Sequence, residues 1–235
     1  MEHGFEIVAT TLFYIGPLPV TNTVFSAWIV TAVLVIVSLI ATRSMKIVPR
    51  GAQNLFEYVV ELLLTVCEST MGRRRGRRFF PVIATAFLFI LFSNWMGLLP
   101  GYGDTPWLRS SNSDLNITAS MALVVFFLVQ FYAVKSQGLP RYLKEFVVPN
   151  PLHILSELSR PISLAFRLFG NILAGEVVII TITAMVPLLL PTVFFGLEVF
   201  VGILQALIFS MLTMVFLAMA TMHEGHDSHA GEGSH

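Results

Sequence analysis

The stretch SRPISLAFRLFGNILAGE, from Ser159 to Glu176, decides how the whole chain is interpreted. It lies within a long apolar region, yet it contains Arg160, Arg167, Asn171 and Glu176. An arginine near the middle of a bilayer costs roughly 2.5 to 3.5 kcal/mol on insertion scales. A chain retains such a residue where another charged group lies close enough to compensate its charge. The stretch therefore indicates a functional site inside a membrane.

The composition is that of a membrane protein. Of the 235 residues, 55% are apolar and only 12% are charged, and the mean hydropathy is +0.79. A soluble domain has about 25% charged residues. We expect an all-α polytopic membrane protein that forms one membrane domain over residues 1–235. The net charge of zero gives no reason to expect nucleic-acid binding. The single cysteine, Cys67, excludes a disulfide framework and a thiolate metal cluster, and we expect neither a metal site nor a cofactor.

Five segments are predominantly apolar and long enough to cross a hydrocarbon core of ~30 Å. They are residues 24–42, 79–99, 117–134, 151–188 and 192–222. The fourth would reach more than ~50 Å as a straight helix, so we expect it to be tilted, bent or partly outside the bilayer. Pro187 and Pro191 mark a turn, so the last two segments form a long helical hairpin.

Residues 52–70 are also apolar, but their polar residues follow one helical stripe. The stripe includes Asn54, Glu57, Glu61 and Glu68. If this segment crossed the membrane, the arginine run at 73–78 would lie opposite the basic residues at 43–50. If it lies along the surface, all of these basic residues share one cytoplasmic loop, as the positive-inside rule prefers. We predict an interfacial amphipathic helix, and the arginine run sets topology rather than binding nucleic acid.

The charge distribution also predicts an orientation. We expect the N-terminus to be external and, because it lacks the basic region of a signal peptide, not to be cleaved. The connection that reaches about residue 116 contains Asp104, Arg109 and Asp114, has little net charge, and is also expected to be external. The C-terminus is cytoplasmic. The tail, 223–235, holds four of the six histidines but has HEGH rather than HExxH, so we expect a solvated, flexible end.

Helical geometry separates two groups of polar residues along the hairpin. With Arg167 at angle zero, Ser163 and Asn171 fall within about 40°, whereas Glu176 lies near 180°. Gly170 and Ala174 form a small-xxx-small pair, which lets another helix approach the arginine face.

The second arm carries further polar residues at helical spacing. Glu198 and Gln205 share a stripe of that arm, with Glu198 nearer the external turn. Two partly buried carboxylates, Glu176 and Glu198, can bind and release protons on the external side. His153 and Glu157 offer titratable groups towards the cytoplasmic end. Because Arg167 cannot deprotonate, it blocks direct proton passage between the two sides.

The pattern P-x-S-L-x-x-R-L-F-G-N at 161–171, followed by Gly175-Glu176, resembles the signature of subunit a of the F-type ATP synthase. Asn94-Trp95 and the segment 114–116 also resemble segments of this family. The resemblance covers essentially the whole chain, with its specificity concentrated in 159–176. It implies a stationary, non-catalytic proton-channel subunit of the F0 sector in a bacterial inner membrane, rather than in a plastid thylakoid membrane. The implied partners are a rotating ring of c subunits, b-type peripheral stalk subunits, the F1 sector and membrane lipids, with protons as the transported ion.

The resemblance also implies roles for individual residues. Arg167 corresponds to the essential arginine, which meets a c-ring carboxylate and separates two half-channels. Its polar neighbours would be Asn171 and Gln205, with Ser163 on the same face but more suited to packing. The external half-channel would contain Glu176, Glu198, Asp114 and Asn116. The cytoplasmic half-channel would contain His153 and Glu157.

Two alternatives stay open at this point. Many relatives have histidine at one of the two half-channel positions, whereas Glu176 and Glu198 are both acidic here, which leaves sodium coupling open. A self-contained secondary transporter would need its own counter-charge for Arg167 at the same depth, and only Gln205 is available. An intramembrane hydrolase is not expected, because the sequence lacks a GxSxG, HExxH or paired-aspartate constellation.

Overall fold

The computed structural model describes residues 10–43, 52–99, 109–138, 151–186 and 189–221. A small antiparallel hairpin comes first, formed by strands β1 (Thr11–Ile15) and β2 (Leu18–Thr21). The described ranges contain six α-helices: α1 (Asn22–Arg43), α2 (Ala52–Met71), α3 (Arg73–Met96), α4 (Leu115–Gln137), α5 (Pro151–Met185) and α6 (Leu189–Ala220). A 3-10 turn, Ser111–Ser113, precedes α4. The expected all-α class is confirmed.

Five of these helices are long and apolar enough to cross a membrane: α1, α3, α4, residues 155–185 of α5 and residues 190–220 of α6. The protein is therefore a multi-pass membrane protein. The amphipathic helix α2 is not among the five candidate spans. The tail at 223–235 and the predicted turn at Pro187 lie outside the described residues.

Several helices extend beyond the apolar segments because backbone hydrogen bonding does not stop where hydropathy falls. Helix α3 begins at Arg73, so the arginine run predicted to precede this span forms its first turns. Gly72 and Gly138 flank α3 and α4 with φ of 80°, a value that favours glycine. At the other end of α4, the side chain of Asp114 accepts a hydrogen bond from the backbone N–H of Asn116 and caps the helix.

Helix α3 lies at the centre of the bundle, between α2 and α6, while α4 packs against α5 and α6. The core is formed by large apolar side chains from these helices, including Phe79, Ile83, Ile90, Leu168, Phe209 and Leu217. Helices α2 and α3 approach closely at Gly76, where a Cβ would lie 2.8 Å from the carbonyl oxygen of Cys67. Helices α3 and α6 approach at Gly202, where a Cβ would lie 3.2 Å from the Cβ of Asn94.

The segment before α4 is buried although it is almost entirely polar. Residues 109–113, with sequence RSSNS, are all buried. The 3-10 turn contacts α1, α3, α4 and α5. Polar groups in such a place must find partners within the protein. This segment therefore brings a set of polar side chains to one end of the helical bundle, where they meet the hairpin formed by α5 and α6.

Candidate functional site

One face of α5 exposes the residues that surround Arg167. Ser163, Gly170, Asn171 and Ala174 are exposed together with Arg167, as expected from the helical period. A Cβ at Gly170 would meet nothing within 4 Å. Within the described ranges, Arg167 has neither a hydrogen-bond nor an ion-pair partner. The arginine face is thus open towards whatever lies beside this chain.

Asn171 connects this face to the second arm of the hairpin. Its Nδ2 donates a hydrogen bond of 2.7 Å to Oε1 of Gln205. Gln205 is only 2% exposed, so this hydrogen bond satisfies a buried amide oxygen. The structure therefore brings Gln205 next to Asn171 and holds α5 and α6 together one turn from Arg167.

The opposite face of α5 buries Glu176 against Arg109. Glu176 is 6% exposed, and its Oε2 lies 3.6 Å from Nη2 of Arg109. Arg109 Nε donates a hydrogen bond of 3.0 Å to Oγ of Ser113, and the Arg109 backbone N–H donates one of 3.2 Å to Oγ of Ser26 on α1. From the sequence, Arg109 was only one charge of the connection before α4, with no predicted place in the site. The available signal was one basic residue in the Ser- and Asn-rich segment RSSNSD, and this signal does not identify its partner.

Glu198 lies on α6, where that helix meets α5. It is half-buried, and its carboxylate lies against Gly175, the residue before Glu176. A Cβ at position 175 would overlap this carboxylate. The two carboxylates are close enough to interact electrostatically. In the described part of the chain, Glu198 has no hydrogen-bond or ion-pair partner.

A chain of buried amides links the 3-10 turn to α3 and α6. Asn112 Nδ2 donates to Oδ1 of Asn94 at 2.7 Å, and Asn94 Nδ2 donates to the carbonyl of Gly202 at 3.2 Å. Trp95 Nε1 donates to the carbonyl of Val199 at 3.4 Å. These bonds position the segment of α6 that carries Glu198. Asn94 and Trp95 thus connect the loop to the hairpin, a structural role that the sequence alone did not reveal.

Asp114 is committed to structural hydrogen bonds. Its Oδ1 accepts from the backbone N–H of Asn116 at 2.9 Å, and its Oδ2 accepts from Oγ1 of Thr23 at 2.8 Å. Asn116 itself is exposed. Asp114 therefore ties the start of α4 to the start of α1, and both residues lie at the same end of the bundle as Arg109.

At the other end of α5, Glu157 is paired with Arg160. The two side chains are 2.7 Å apart, and Gln130 Nε2 donates a hydrogen bond of 3.2 Å to the other carboxylate oxygen of Glu157. The guanidinium of Arg160 also lies 5.0 Å from the ring centre of Phe216. Glu157 is thus held by α4 and its own helix. His153, the second predicted cytoplasmic group, belongs to α5, but its side chain lies outside the described part of the structure.

The described residues contain no group of three or more histidine, cysteine, aspartate or glutamate side chains that could hold a metal ion. Charged and titratable side chains lie on both faces of α5. Arg167, which has no partner among the described residues, occupies the open face of α5, while two carboxylates and a second arginine lie at its packed face. A charged group from outside the chain could reach Arg167. Water could reach the two carboxylates through the half-buried Glu198.

Comparisons with known proteins agree on one family. A family model described as "ATP synthase A chain" matches residues 24–218. A protein named ATP synthase subunit a from Moorella thermoacetica is 36% identical over 211 residues, covering 88% of this chain and 94% of that protein. Its namesake from Campylobacter jejuni is 40% identical over 212 residues, 86% of this chain and 91% of that protein. ATP synthase subunit a 2 from a Bradyrhizobium strain is 37% identical over 218 residues, 91% of this chain and 95% of that protein.

Proposed function

We propose that this chain, which belongs to the ATP synthase A chain family, is the stationary proton-conducting subunit of the membrane sector of an ATP synthase. It passes protons to and from a carboxylate on a rotating ring of c subunits and performs no bond chemistry itself. Proton flow through it drives rotation, and rotation drives ATP synthesis in the soluble sector of the complex.

The observation that carries this proposal is Arg167 on the open face of α5, exposed and without a partner in the described ranges. An exposed arginine among apolar side chains in a membrane is costly unless an acidic group comes to it. Gly170 and Ala174 leave room beside it for another helix. A ring carboxylate at ~4 Å would be attracted by roughly 4 kcal/mol at an effective dielectric constant of ~20. The membrane potential contributes ~2.3 kcal/mol per charge per 100 mV, which is of the same order as this attraction.

Two half-channels complete the mechanism. Glu176 and Glu198, with Asp114 and Asn116 at the same end of the bundle, supply the external pathway. Glu157 and His153 supply the cytoplasmic pathway. Arg167 lies between them and cannot lose its proton, so protons cannot pass directly and must travel on the ring. Asn171 and Gln205 hold α5 and α6 together one turn from the arginine, and Ser163 contributes packing to the same face.

The proposed orientation follows the distribution of basic residues. The N-terminus and residues 109–114 are external, whereas the first turns of α3 and the C-terminus are cytoplasmic. Helix α2 lies on the cytoplasmic surface of a bacterial inner membrane. There it can meet the peripheral stalk, which the b-type subunits form, while the ring binds the open face of α5.

Purification and an ion test together examine this function. Mild detergent extraction through a tag on this chain should recover a ring of c subunits and the soluble ATPase sector. ATP added to inverted vesicles should acidify their interior at a rate independent of sodium concentration. A chain that purifies alone and transports a solute would support a secondary transporter, and acidification that requires sodium removal would indicate a sodium-coupled form.

A further inference from the structure

Arg109 lies beside Glu176 at the proposed external end of the bundle, yet the proposed half-channel assigns it no role. Its side chain is only 10% exposed and is therefore largely shielded from bulk water. Ser113 holds Nε, and Ser26 of α1 holds the backbone N–H of the same residue. The guanidinium is therefore fixed in position beside α5 rather than free to follow a moving partner.

The two external carboxylates differ in their surroundings. Glu176 is buried and faces the guanidinium of Arg109 at 3.6 Å. Glu198 is half-buried, lies over the bare backbone of Gly175, and within the described ranges has neither a hydrogen bond nor an ion pair. Only Glu198 thus combines access to solvent with freedom from a fixed partner.

We infer that Arg109 is the positioning residue of the external pathway, which holds Glu176 in a buried ion pair and leaves Glu198 as the carboxyl group that exchanges protons. This inference rests on the proposed function. In each cycle Glu198 takes a proton from external water, passes it to the ring carboxylate and becomes ionised again. Glu176 therefore belongs to the external pathway as a fixed charge and not as a proton carrier, and Arg109 and Glu176 change neither charge nor position.

The ion pair lowers the free-energy cost of this cycle because Arg109 neutralises the charge of Glu176, the neighbour of Glu198. A second negative charge a few ångströms away would oppose ionisation of Glu198 inside a low-dielectric bundle. With Arg109 in place, Glu176 and the guanidinium together have no net charge. Removal of one member alone leaves an uncompensated buried charge, which is far more damaging than removal of both.

A double-mutant cycle in the intact complex tests this division of roles. Arg109→Gln, Glu176→Gln and the double variant are compared with wild type in membrane vesicles. ATP synthesis driven by an imposed proton gradient is normalised to the amount of assembled complex. Each single variant should lose about tenfold or more, whereas the double variant should return to within about threefold of wild type. Arg109→Lys should retain most of the rate because it keeps the charge.

Two further sets of variants serve as references. Glu198→Gln should lose synthesis both alone and in the double-variant background, since no other external carboxyl group then exchanges protons. The pair Glu68 and Arg77 is a matched control, because its atoms are 2.6 Å apart but Arg77 is 56% exposed. Neutralising both of these residues should leave the rate unchanged.

The outcomes separate the inference from its premise. A double variant as impaired as Glu176→Gln alone, or full synthesis by Glu198→Gln, would overturn the inference. If neither single variant assembles, recovery of assembly and synthesis by the double variant supports it, and failure of the double variant refutes it. Arg167→Ala is measured in parallel. Full synthesis by that variant rejects the proposed function, whereas its loss with an additive Arg109–Glu176 cycle rejects the inference alone.

Discussion

Two arginines on opposite sides of α5 occupy contrasting environments. Arg109 lies against the packed face, buried, with Glu176 opposite it and Ser113 beside it. Arg167 lies on the open face, exposed and without a partner in the described part of the chain. A charge inside a membrane protein needs compensation wherever it lies. An arginine whose charge is compensated within the chain stabilises the bundle. An arginine without a partner in the described part of the chain indicates contact with another subunit.

The largest expected effect comes from removing the open arginine. Arg167→Ala should reduce coupled ATP synthesis at least about a hundredfold, because roughly 4 kcal/mol of attraction to the ring carboxylate is lost. Assembly should be intact, and the vesicles should leak protons because nothing separates the half-channels. Synthesis rates and passive proton permeability measure both effects.

Arg160 is the matched control for this variant, since it lies seven residues earlier on the same helix but is paired with Glu157. Arg160→Ala should lose less than about tenfold and should not create a leak. Equal losses of ATP synthesis in Arg160→Ala and Arg167→Ala would contradict the distinction between open and paired arginines.

A smaller effect is expected where the packed face meets Glu198. In Gly175→Ala the new methyl group would overlap the Glu198 carboxylate, which is the end of a flexible side chain and can move aside. The complex should therefore assemble normally but synthesise ATP several-fold more slowly, about three- to tenfold. Gly196→Ala, on α6 with nothing within 4 Å of the new Cβ, should behave as wild type. Normal activity of Gly175→Ala would show that the position of Glu198 is unimportant.

A stability effect without a change in mechanism is expected away from both arginines. In Gly76→Ala the Cβ would meet the backbone of Cys67 and Glu68, which cannot move without separating α2 from α3. Such overpacking costs roughly 1 to 3 kcal/mol. Thermal aggregation of the detergent-purified complex should begin at a lower temperature, while the rate per assembled complex stays unchanged. A changed rate with unchanged thermal stability would contradict this assignment.

The last prediction concerns sidedness and changes activity least. A cysteine in place of the exposed Glu61 on α2 should escape an impermeant external thiol reagent, because α2 is proposed to lie on the cytoplasmic surface. Tyr14→Cys, on the exposed strand β1, should react from outside. Burial raises the pKa of the native Cys67 thiol to about 11, so this residue adds little background at neutral pH. The reverse labelling pattern would place Arg109 on the cytoplasmic side.

Local pattern was sufficient for the fold class and for one face of the site. Hydropathy and length identify the apolar segments because a helix in lipid must form its backbone hydrogen bonds internally and can contain few charged side chains. The helical period separates Arg167 from Glu176 because side chains nine residues apart point in opposite directions. Hydropathy predicted the ends of the helices less well. Helix α3 already begins at Arg73, because backbone hydrogen bonding and not hydropathy determines where a helix starts.

The sequence by itself determined that this is a multi-pass helical protein with an arginine in the midst of an apolar helix. Only the tertiary structure decided that Arg109 faces Glu176, that Glu198 lies over Gly175, and that Asn94 joins Asn112 to Gly202. Periodicity reports which face of a helix a residue occupies, and this is a local property. The partner across that face depends on how a polar loop folds back between helices, and no spacing along the chain encodes that contact.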